Sequence, residues 1–265
     1  MIYLTDFFGI GGYRRTPEGA WSWQHILFTS IMIAIMIFLG IFLGRKYRNN
    51  ERLKNRTIMI AAIAIDAFEV LKIIILCVRS GDVIDTILHT LPLFLCSIML
   101  IALPLAAFSK GRLKAAALDF ILIFGFIAGI MGTVGAAQNY NTYPVLSFDN
   151  VVSAITHCIS AFASLFIGIT RMASLKSKNM GITCAILLGV VLLAQIANLT
   201  IPYNYMFLER DDGTPYSIIS NMVNGNRLLY KIMVVGLLVL LIVLFYAFRI
   251  LADKRKKKRS LVVSY

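Results

Sequence analysis

Cys96 and His157 are the residues of this sequence whose types could perform covalent chemistry together. A cysteine becomes a nucleophile when a base or a positive neighbour stabilises its thiolate, because a free thiol has a pKa of about 8.5 and apolar surroundings raise it. His89 is nearer in sequence, but a residue seven positions away on a helix lies two turns, or about 10 Å, along the same face. The spacing therefore excludes His89 as the base of Cys96 and favours His157.

The elements that carry these residues are long apolar runs. Of 265 residues, 59% are hydrophobic and 15% are charged, whereas a globular domain keeps about 25% charged. A membrane-crossing helix needs about 20 apolar residues, which predicts a single membrane domain, residues 1–265, folded as an all-α bundle of seven transmembrane helices. The predicted spans are roughly 25–43, 57–78, 85–108, 115–137, 150–170, 180–200 and 228–248, followed by a basic tail at 249–265.

The basic residues predict the orientation of the bundle. The formal net charge is +13, and segments 45–56, 109–114, 171–178 and 249–265 hold 19 of the 26 Lys and Arg residues. Lys and Arg concentrate in cytoplasmic loops, so we expect the N-terminus outside the cell membrane and the C-terminus in the cytoplasm. A nucleic-acid partner is excluded, because this charge flanks apolar runs and forms no water-soluble basic face.

Cys96 and His157 are predicted to lie at similar depths in the membrane. A rise of about 1.5 Å per residue puts Cys96 about 16 Å and His157 about 10 Å below the outer surface of the core. Glu69, Lys72 and Gln195 lie about 18 to 22 Å above its cytoplasmic surface, in a core of about 30 Å. These groups therefore lie between the midplane and the outer leaflet of the membrane, and they predict a polar cavity that opens outward. Pro92 removes a backbone donor and frees the carbonyl of Leu88, which predicts a bend beside Cys96.

Polar side chains inside the spans are candidates for supporting or substrate-binding roles, because such groups are costly in lipid unless they face a partner or water. Simpler interpretations stay open for Glu69, Lys72 and His157. Glu69 and Lys72 could be an internal ion pair, and His157 could be an interhelical hydrogen-bond partner. The supporting candidates are Glu69, Lys72, His89, Gln195, Asn198 and Asn204.

Several other residues have structural interpretations. Cys77, Cys158 and Cys184 lie in spans without a CxxC pair and are expected to be packing residues, with no metal or cofactor predicted. His25 is expected at the outer interface, and Asp119, one turn inside a cytoplasmic helix end, is expected to snorkel. The glycines of the fourth span, with a GxxxG spacing from Gly125 to Gly129, are expected to permit close helix packing.

Four short motifs occur in order along the chain: SWQH at 22–25, LHTLPLFLCS at 88–97, ITH at 155–157 and NYMFL at 204–208. Together they resemble the YwaF-like bacterial integral membrane proteins, which are similar to a eukaryotic transmembrane acyltransferase for ether lysophospholipids. The resemblance implies a catalytic pair formed by the cysteine of LPLxLC and a histidine two spans later, here Cys96 and His157. Many members have histidine where this chain has Phe94, which puts a substrate-binding role of that position in doubt.

Two hypotheses follow. In the first, the protein is a membrane enzyme that transfers or hydrolyses lipid acyl esters, with a phospholipid or lysophospholipid as partner. Cys96 attacks the carbonyl, His157 shuttles protons, and Gln195, Asn198 and Asn204 are candidate donors to the oxyanion. Glu69 and Lys72 would orient His157 or bind a headgroup. In the second, the buried polar groups serve a non-enzymatic transporter or ligand sensor.

Overall fold

The computed structural model describes residues 2–262, with side chains described for residues 5–255. Helices joined by turns make up this part of the chain, and no strand occurs in it, so the all-α prediction is confirmed. The helices are α1 (Ile2–Phe8), α2 (Trp23–Tyr47), α3 (Glu51–Ser80), α4 (Val83–His89), α5 (Met99–Phe108), α6 (Gly111–Val134), α7 (Ala137–Thr142), α8 (Phe148–Thr170), α9 (Ser177–Thr200), α10 (Ser217–Met222) and α11 (Arg227–Val262).

Five helical segments among the described residues are long and apolar enough to cross a membrane: α2, α6 together with α7, α8, α9 and α11. The 30-residue helix α3 is long enough, but Asp66, Glu69 and Lys72 interrupt its apolar stretch. Large apolar side chains on the outer surfaces of these helices are exposed, which is the arrangement that lipid contact requires. The chain is therefore a multi-pass membrane protein.

The predicted third span, 85–108, is not one continuous helix. Helix α4 ends at His89, residues 90–95 are non-helical, and a 3₁₀ turn over Cys96–Ile98 leads directly into α5. The break coincides with Pro92, whose ring cannot follow a helical turn and disfavours helical geometry in the residue before it. Pro104 lies inside α5 without ending it. The bend expected at Pro92 is thus a full interruption, and Cys96 opens the helix that follows it.

Polar side chains cap most of the helices around this break. Ser22 accepts a hydrogen bond from the backbone N–H of His25 at the start of α2, and the same kind of cap begins α3, α4 and α8. Gly81, at φ 71°, adopts the left-handed conformation that ends α3. His25 itself is fully buried within the protein: its ring lies 4.0 Å from that of Tyr140, and its Nδ1 accepts from Trp21 N–H at 2.9 Å.

Helix α8 lies at the centre of the bundle and packs against α2, α3 and α6. Its contact with α6 depends on glycine: a Cβ at Gly125 would lie 2.8 Å from the Ser160 carbonyl, and one at Gly129 would lie 2.5 Å from the His157 carbonyl. These distances are shorter than any real Cβ contact, so the two backbones approach closely only because both residues lack a side chain. The close packing predicted for these glycines is confirmed.

A buried ion pair ties the end of α3 to the start of α8. Arg79 Nη1 lies 2.6 Å from Asp149 Oδ2, and the hydroxyl of Tyr13 donates to the same oxygen. The Arg79 guanidinium also lies over the Tyr13 ring, 5.4 Å from its centroid. Burial and the hydrogen bond to Asp149 raise the pKa of Tyr13 above its ordinary range, so Tyr13 stays a neutral donor. The network fixes α3 and α8 relative to each other at one end.

At the opposite end, Asp119 of α6 is fully buried and does not snorkel. Its Oδ1 accepts from the backbone N–H groups of Ser174 and Leu175 at 2.8 and 2.9 Å. Its Oδ2 accepts from Asn179 Nδ2 at 3.1 Å and from the Tyr246 hydroxyl at 2.9 Å. Four donors replace the water that snorkelling would have supplied, because the 171–176 turn folds back over the helix end. The carboxylate thereby joins α6, α9 and α11.

Replacing Asp119 by alanine is expected to destabilise the protein by about 3 kcal/mol or more, because buried donors lose their acceptor. For a chain of this size that lowers the thermal midpoint in detergent by about 6 to 12 °C. The matched control is Asp253→Ala, since Asp253 forms an exposed pair with Arg249 at 3.2 Å and is expected to shift the midpoint by less than about 2 °C. Equal shifts for the two variants would contradict the structural role of Asp119.

Candidate active site

Cys96 owes its position to the break before α5. It is the first residue of the 3₁₀ turn Cys96–Ile98, which continues as α5, and its side chain is half-buried. The first N–H groups of a helix have no acceptor within it, and the aligned peptide dipoles make this end positive. A thiol at such a position is more easily ionised than one in the middle of a helix. The break thus supplies a local environment that a continuous span would not give.

His157 lies in the middle of α8, held by its own helix and by α6. Its Nδ1 lies 2.7 Å from the Ser153 carbonyl oxygen. A carbonyl only accepts, so Nδ1 carries a proton and donates, and in the neutral imidazole Nε2 is the nitrogen with the lone pair. The ring rests directly on Gly132 of α6, where a Cβ would lie 1.8 Å from Cδ2 and 2.1 Å from Nε2. Gly132 therefore provides the space that the imidazole occupies.

The structure places the side chains of Cys96 and His157 next to each other, within the range of a direct interaction. Because Nδ1 is engaged with Ser153, the ring nitrogen able to accept the thiol proton is Nε2. The Ser97 side chain also hydrogen-bonds to Cys96. A thiol, an imidazole whose Nε2 can take its proton, and a third group that orients the imidazole form the arrangement of an activated nucleophile.

Glu69 and Lys72 lie beside this pair on α3. Lys72 Nζ is 2.5 Å from Glu69 Oε1, and both side chains are mostly buried. Lys72 is within electrostatic range of Cys96 and of His157. Asp66, on the same helix, is within electrostatic range of Glu69. The internal ion pair that the sequence left as an alternative is thus present, and its ammonium is within electrostatic range of the thiol.

His89 belongs to different surroundings. It ends α4, its Nδ1 lies 2.8 Å from the Asp85 carbonyl oxygen and 3.2 Å from Asp85 Oδ1, and its ring lies 5.2 Å from that of Tyr203. The break between His89 and Cys96 replaces the two helical turns assumed from the sequence. His89 is not the hydrogen-bonded base of Cys96 in the structure either.

The three amide candidates hold the 201–216 loop. Gln195 Nε2 donates to Glu209 at 3.1 Å. Asn204 accepts from the Glu209 N–H at 2.9 Å and donates to the Arg210 carbonyl at 2.8 Å. Asn198 binds both backbone groups of Tyr205, accepting from its N–H at 2.7 Å and donating to its carbonyl at 3.0 Å. All three side chains are therefore engaged within the loop.

Sequence reasoning missed Tyr205, whose hydroxyl lies at the break before Cys96. The hydroxyl donates to the Leu88 carbonyl at 2.5 Å and accepts from the Leu91 N–H at 3.2 Å. The Leu88 carbonyl is the one that Pro92 leaves without its helical donor. The signal was present in the sequence, since Tyr205 lies in the NYMFL motif and the freed carbonyl required a donor.

The polar groups outside this site are arranged differently from the expected single cavity. A polar cavity of about 600 Å³ is lined by Gln138, Asn141 and Thr142 of α7 and by Arg210 and Asp212 of the loop. Phe94 packs in a ring cluster with Tyr203, Tyr205 and Phe207. Within the part of the chain that the structure describes, no group of three His, Cys, Asp or Glu residues is placed to hold a metal ion.

A comparison with models of protein families identifies the family to which the chain belongs. The model of the TMEM164 family matches residues 20–249. The chain belongs to the TMEM164 family. No curated protein and no solved structure matches the chain. The TMEM164 match extends from the turn before α2 into α11 and so includes Cys96, His157, Gly132 and Tyr205.

Proposed function

We propose that this TMEM164-family protein is a seven-helix enzyme of the cell membrane that transfers or hydrolyses lipid acyl groups, with Cys96 as nucleophile and His157 as base. The observation that carries the proposal is the Cys96 thiol at the start of a helix with the His157 imidazole next to it, whose Nδ1 is committed to the Ser153 carbonyl. The similarity of LPLxLC to YwaF-like proteins and to an ether-lysophospholipid acyltransferase supports lipid as the acyl donor.

The reaction proceeds in two halves. His157 Nε2 takes the thiol proton as Cys96 Sγ bonds to the ester carbonyl carbon, and the tetrahedral intermediate expels an alkoxide that receives that proton from the imidazolium. This leaves an acyl thioester on Cys96 and a free lysolipid. In the second half, His157 takes a proton from a lysolipid hydroxyl or from water, whose oxygen attacks the thioester. The thiolate leaves and regains its proton.

Backbone groups replace the side-chain amides as candidate oxyanion donors. Asn198 and Asn204 are engaged with the loop, so neither amide is free to follow a developing charge. The N–H groups of Cys96 and Ser97 belong to the first turn of the helix, where N–H groups have no acceptor within the helix. They are therefore the candidate donors to the negative oxygen of a tetrahedral intermediate.

Lys72 and Glu69 have a supporting role in this proposal. The positive charge of Lys72 stabilises the thiolate form of Cys96, and its pairing with Glu69 at 2.5 Å keeps the ammonium in place. Because the pair lies beside the Cys96 side chain, the same ammonium is a candidate for contact with the lipid headgroup.

The proposal includes seven membrane crossings, with α3 and the interrupted α4–α5 segment added to the five apolar helices, and an N-terminus outside the cell. It predicts that an impermeant maleimide labels Asn221→Cys in intact cells, because α10 then lies outside. The same reagent should label Lys110→Cys only after permeabilisation. Both positions are exposed, so access depends on the side of the membrane alone, and the reverse pattern would contradict the orientation.

The test of the proposed function compares the phospholipid acyl chains of membranes that contain wild-type protein, Cys96→Ala or no protein. We expect wild type to change the acyl composition and Cys96→Ala to match membranes without the protein. Cys184→Ala is the matched control, since Cys184 lies in α9 away from His157 and should behave as wild type. Equal remodelling by Cys96→Ala would show that Cys96 is not the nucleophile, whereas no remodelling by the wild type would favour a transporter or sensor.

A further inference from the structure

The segment that carries Cys96 has few constraints of its own. Residues 90–95 lie between α4 and the 3₁₀ turn. Their backbone hydrogen bonds include Thr90 N–H to the Ile87 carbonyl at 3.1 Å, Leu93 N–H to the Leu91 carbonyl at 2.7 Å and Ile98 N–H to the Phe94 carbonyl at 3.2 Å. A non-helical stretch at membrane depth must satisfy its freed groups through the surrounding protein. The atoms that do so determine where α5 begins.

Tyr205 satisfies the two groups on either side of the break. Its hydroxyl donates to the Leu88 carbonyl at 2.5 Å and accepts from the Leu91 N–H at 3.2 Å, so it bridges the last turn of α4 and the first extended residue. Its ring is fully buried and lies 5.4 Å from the ring of Phe94, two residues before the thiol. The contact therefore reaches both sides of Pro92.

Tyr205 is itself held firmly. Asn198 of α9 binds its backbone N–H and carbonyl at 2.7 and 3.0 Å. The next two residues, Met206 and Phe207, have φ of 60° and 54°, a left-handed conformation that non-glycine residues adopt only when their surroundings enforce it. The loop is thus a rigid support that transmits the position of α9 to the break.

We propose that Tyr205, held by Asn198, is a positioning residue that sets the start of the Cys96 helix so that the thiol faces His157 Nε2. The proposal rests on the proposed role of Cys96 as nucleophile and assigns Tyr205 no contact with substrate. Tyr205→Phe keeps the ring and removes only the hydroxyl, which frees the Leu88 carbonyl and the Leu91 N–H. The helix start then shifts, and the thiol loses its aligned base.

The readout is the alkylation rate of Cys96 by iodoacetamide between about pH 6 and pH 10 in the full-length protein, followed by mass spectrometry of the Cys96 peptide. The groups that influence this thiol are His157 of α8, Lys72 of α3 and Ser97. For Tyr205→Phe we expect the profile to move to higher pH, with a rate about tenfold lower at neutral pH and an unchanged plateau at high pH. A merely destabilised fold would lower the thermal midpoint without moving the profile.

Tyr230→Phe is the matched control. Tyr230 is also buried and its hydroxyl donates to the Phe207 carbonyl of the same loop at 2.9 Å, but it does not reach the break, so its profile should coincide with wild type. Asn198→Leu removes the hydrogen bonds that hold Tyr205 and should move the alkylation profile in the same direction as Tyr205→Phe. If Tyr205→Phe does not fold, the profile of Asn198→Leu tests the positioning proposal in its place. A wild-type profile in the folded variants, or an equal displacement by Tyr230→Phe, would overturn the proposal.

The outcome is separable from that of the proposed function. If Cys96→Ala remodels membrane lipids as the wild type does while Tyr205→Phe moves the alkylation profile, the acyl-transfer proposal fails and the positioning of the thiol stands. If Cys96→Ala abolishes remodelling and Tyr205→Phe leaves the profile in place, the positioning proposal fails alone.

Discussion

His157→Asn is expected to reduce acyl transfer by about 10²- to 10⁴-fold, the range over which a positioned base contributes to catalysis. Asparagine is the informative replacement because its Nδ2 can donate to the Ser153 carbonyl, as Nδ1 does at 2.7 Å in the wild type. The change therefore removes Nε2 and leaves the local hydrogen bond. The measurement is the rate at which the purified protein, in lipid, moves an acyl chain from phospholipid to lysophospholipid or water.

The matched control is His25→Asn. His25 is also a buried histidine that hydrogen-bonds to backbone, since its Nδ1 accepts from Trp21 N–H at 2.9 Å, and an asparagine Oδ1 can accept the same bond. It lies at the start of α2, against Tyr140, so its replacement should keep activity within about threefold of wild type. Comparable losses in both variants would mean that the effect of His157→Asn is structural and that the base is misassigned.

Gly132→Ala is expected to reduce the same activity by about 10²-fold while the protein remains folded. The added methyl would lie 1.8 Å from His157 Cδ2 and 2.1 Å from Nε2, so the imidazole must leave its position. A displacement of about 1 Å in a catalytic group is sufficient for a loss of this size. The rate of acyl transfer and the thermal midpoint are measured together, because the ring is the displaced group rather than the helix backbone.

Gly189→Ala provides the comparison for the glycine substitution. Gly189 is an exposed helical glycine of α9, and a Cβ there meets nothing within 4 Å. Alanine at such a position stabilises a helix by about 0.5 to 1 kcal/mol, so we expect full activity and an unchanged or slightly higher thermal midpoint. If Gly132→Ala retains wild-type activity, the position of the His157 ring seen in the structure is not required for the reaction.

The apolar runs predicted much of the fold because hydrophobic length and charge depend on local sequence. Glycine spacing in the fourth span likewise anticipated close packing, which the backbone contact at Gly129 confirms. The third predicted span shows what local sequence does not determine. Pro92 indicated a bend, but whether a proline bends or interrupts a helix depends on a donor for the freed carbonyl, and Tyr205 supplies it from more than a hundred residues away.

The pairing of Cys96 with His157 was predicted because few titratable groups occur at similar depth, and the structure places the two side chains in contact. The partners of the amides were not predictable, since Asn198 and Asn204 bind atoms of a loop whose path the apolar pattern does not specify. Asp119 was misjudged for the same reason. Its four donors come from a turn and from two other helices, a tertiary arrangement without a local signal.

The most direct test of the acyl-transfer account is detection of an acyl group on Cys96. The full-length protein is incubated in bilayers with a phospholipid whose acyl chain is isotopically labelled, quenched with acid and examined by peptide mass spectrometry. We expect label on the Cys96 peptide that neutral hydroxylamine removes, as it removes a thioester, and none on Cys96→Ala. His157→Asn should form the adduct far more slowly than wild type. Lipid turnover by wild-type protein without any hydroxylamine-sensitive label on Cys96 would contradict the account.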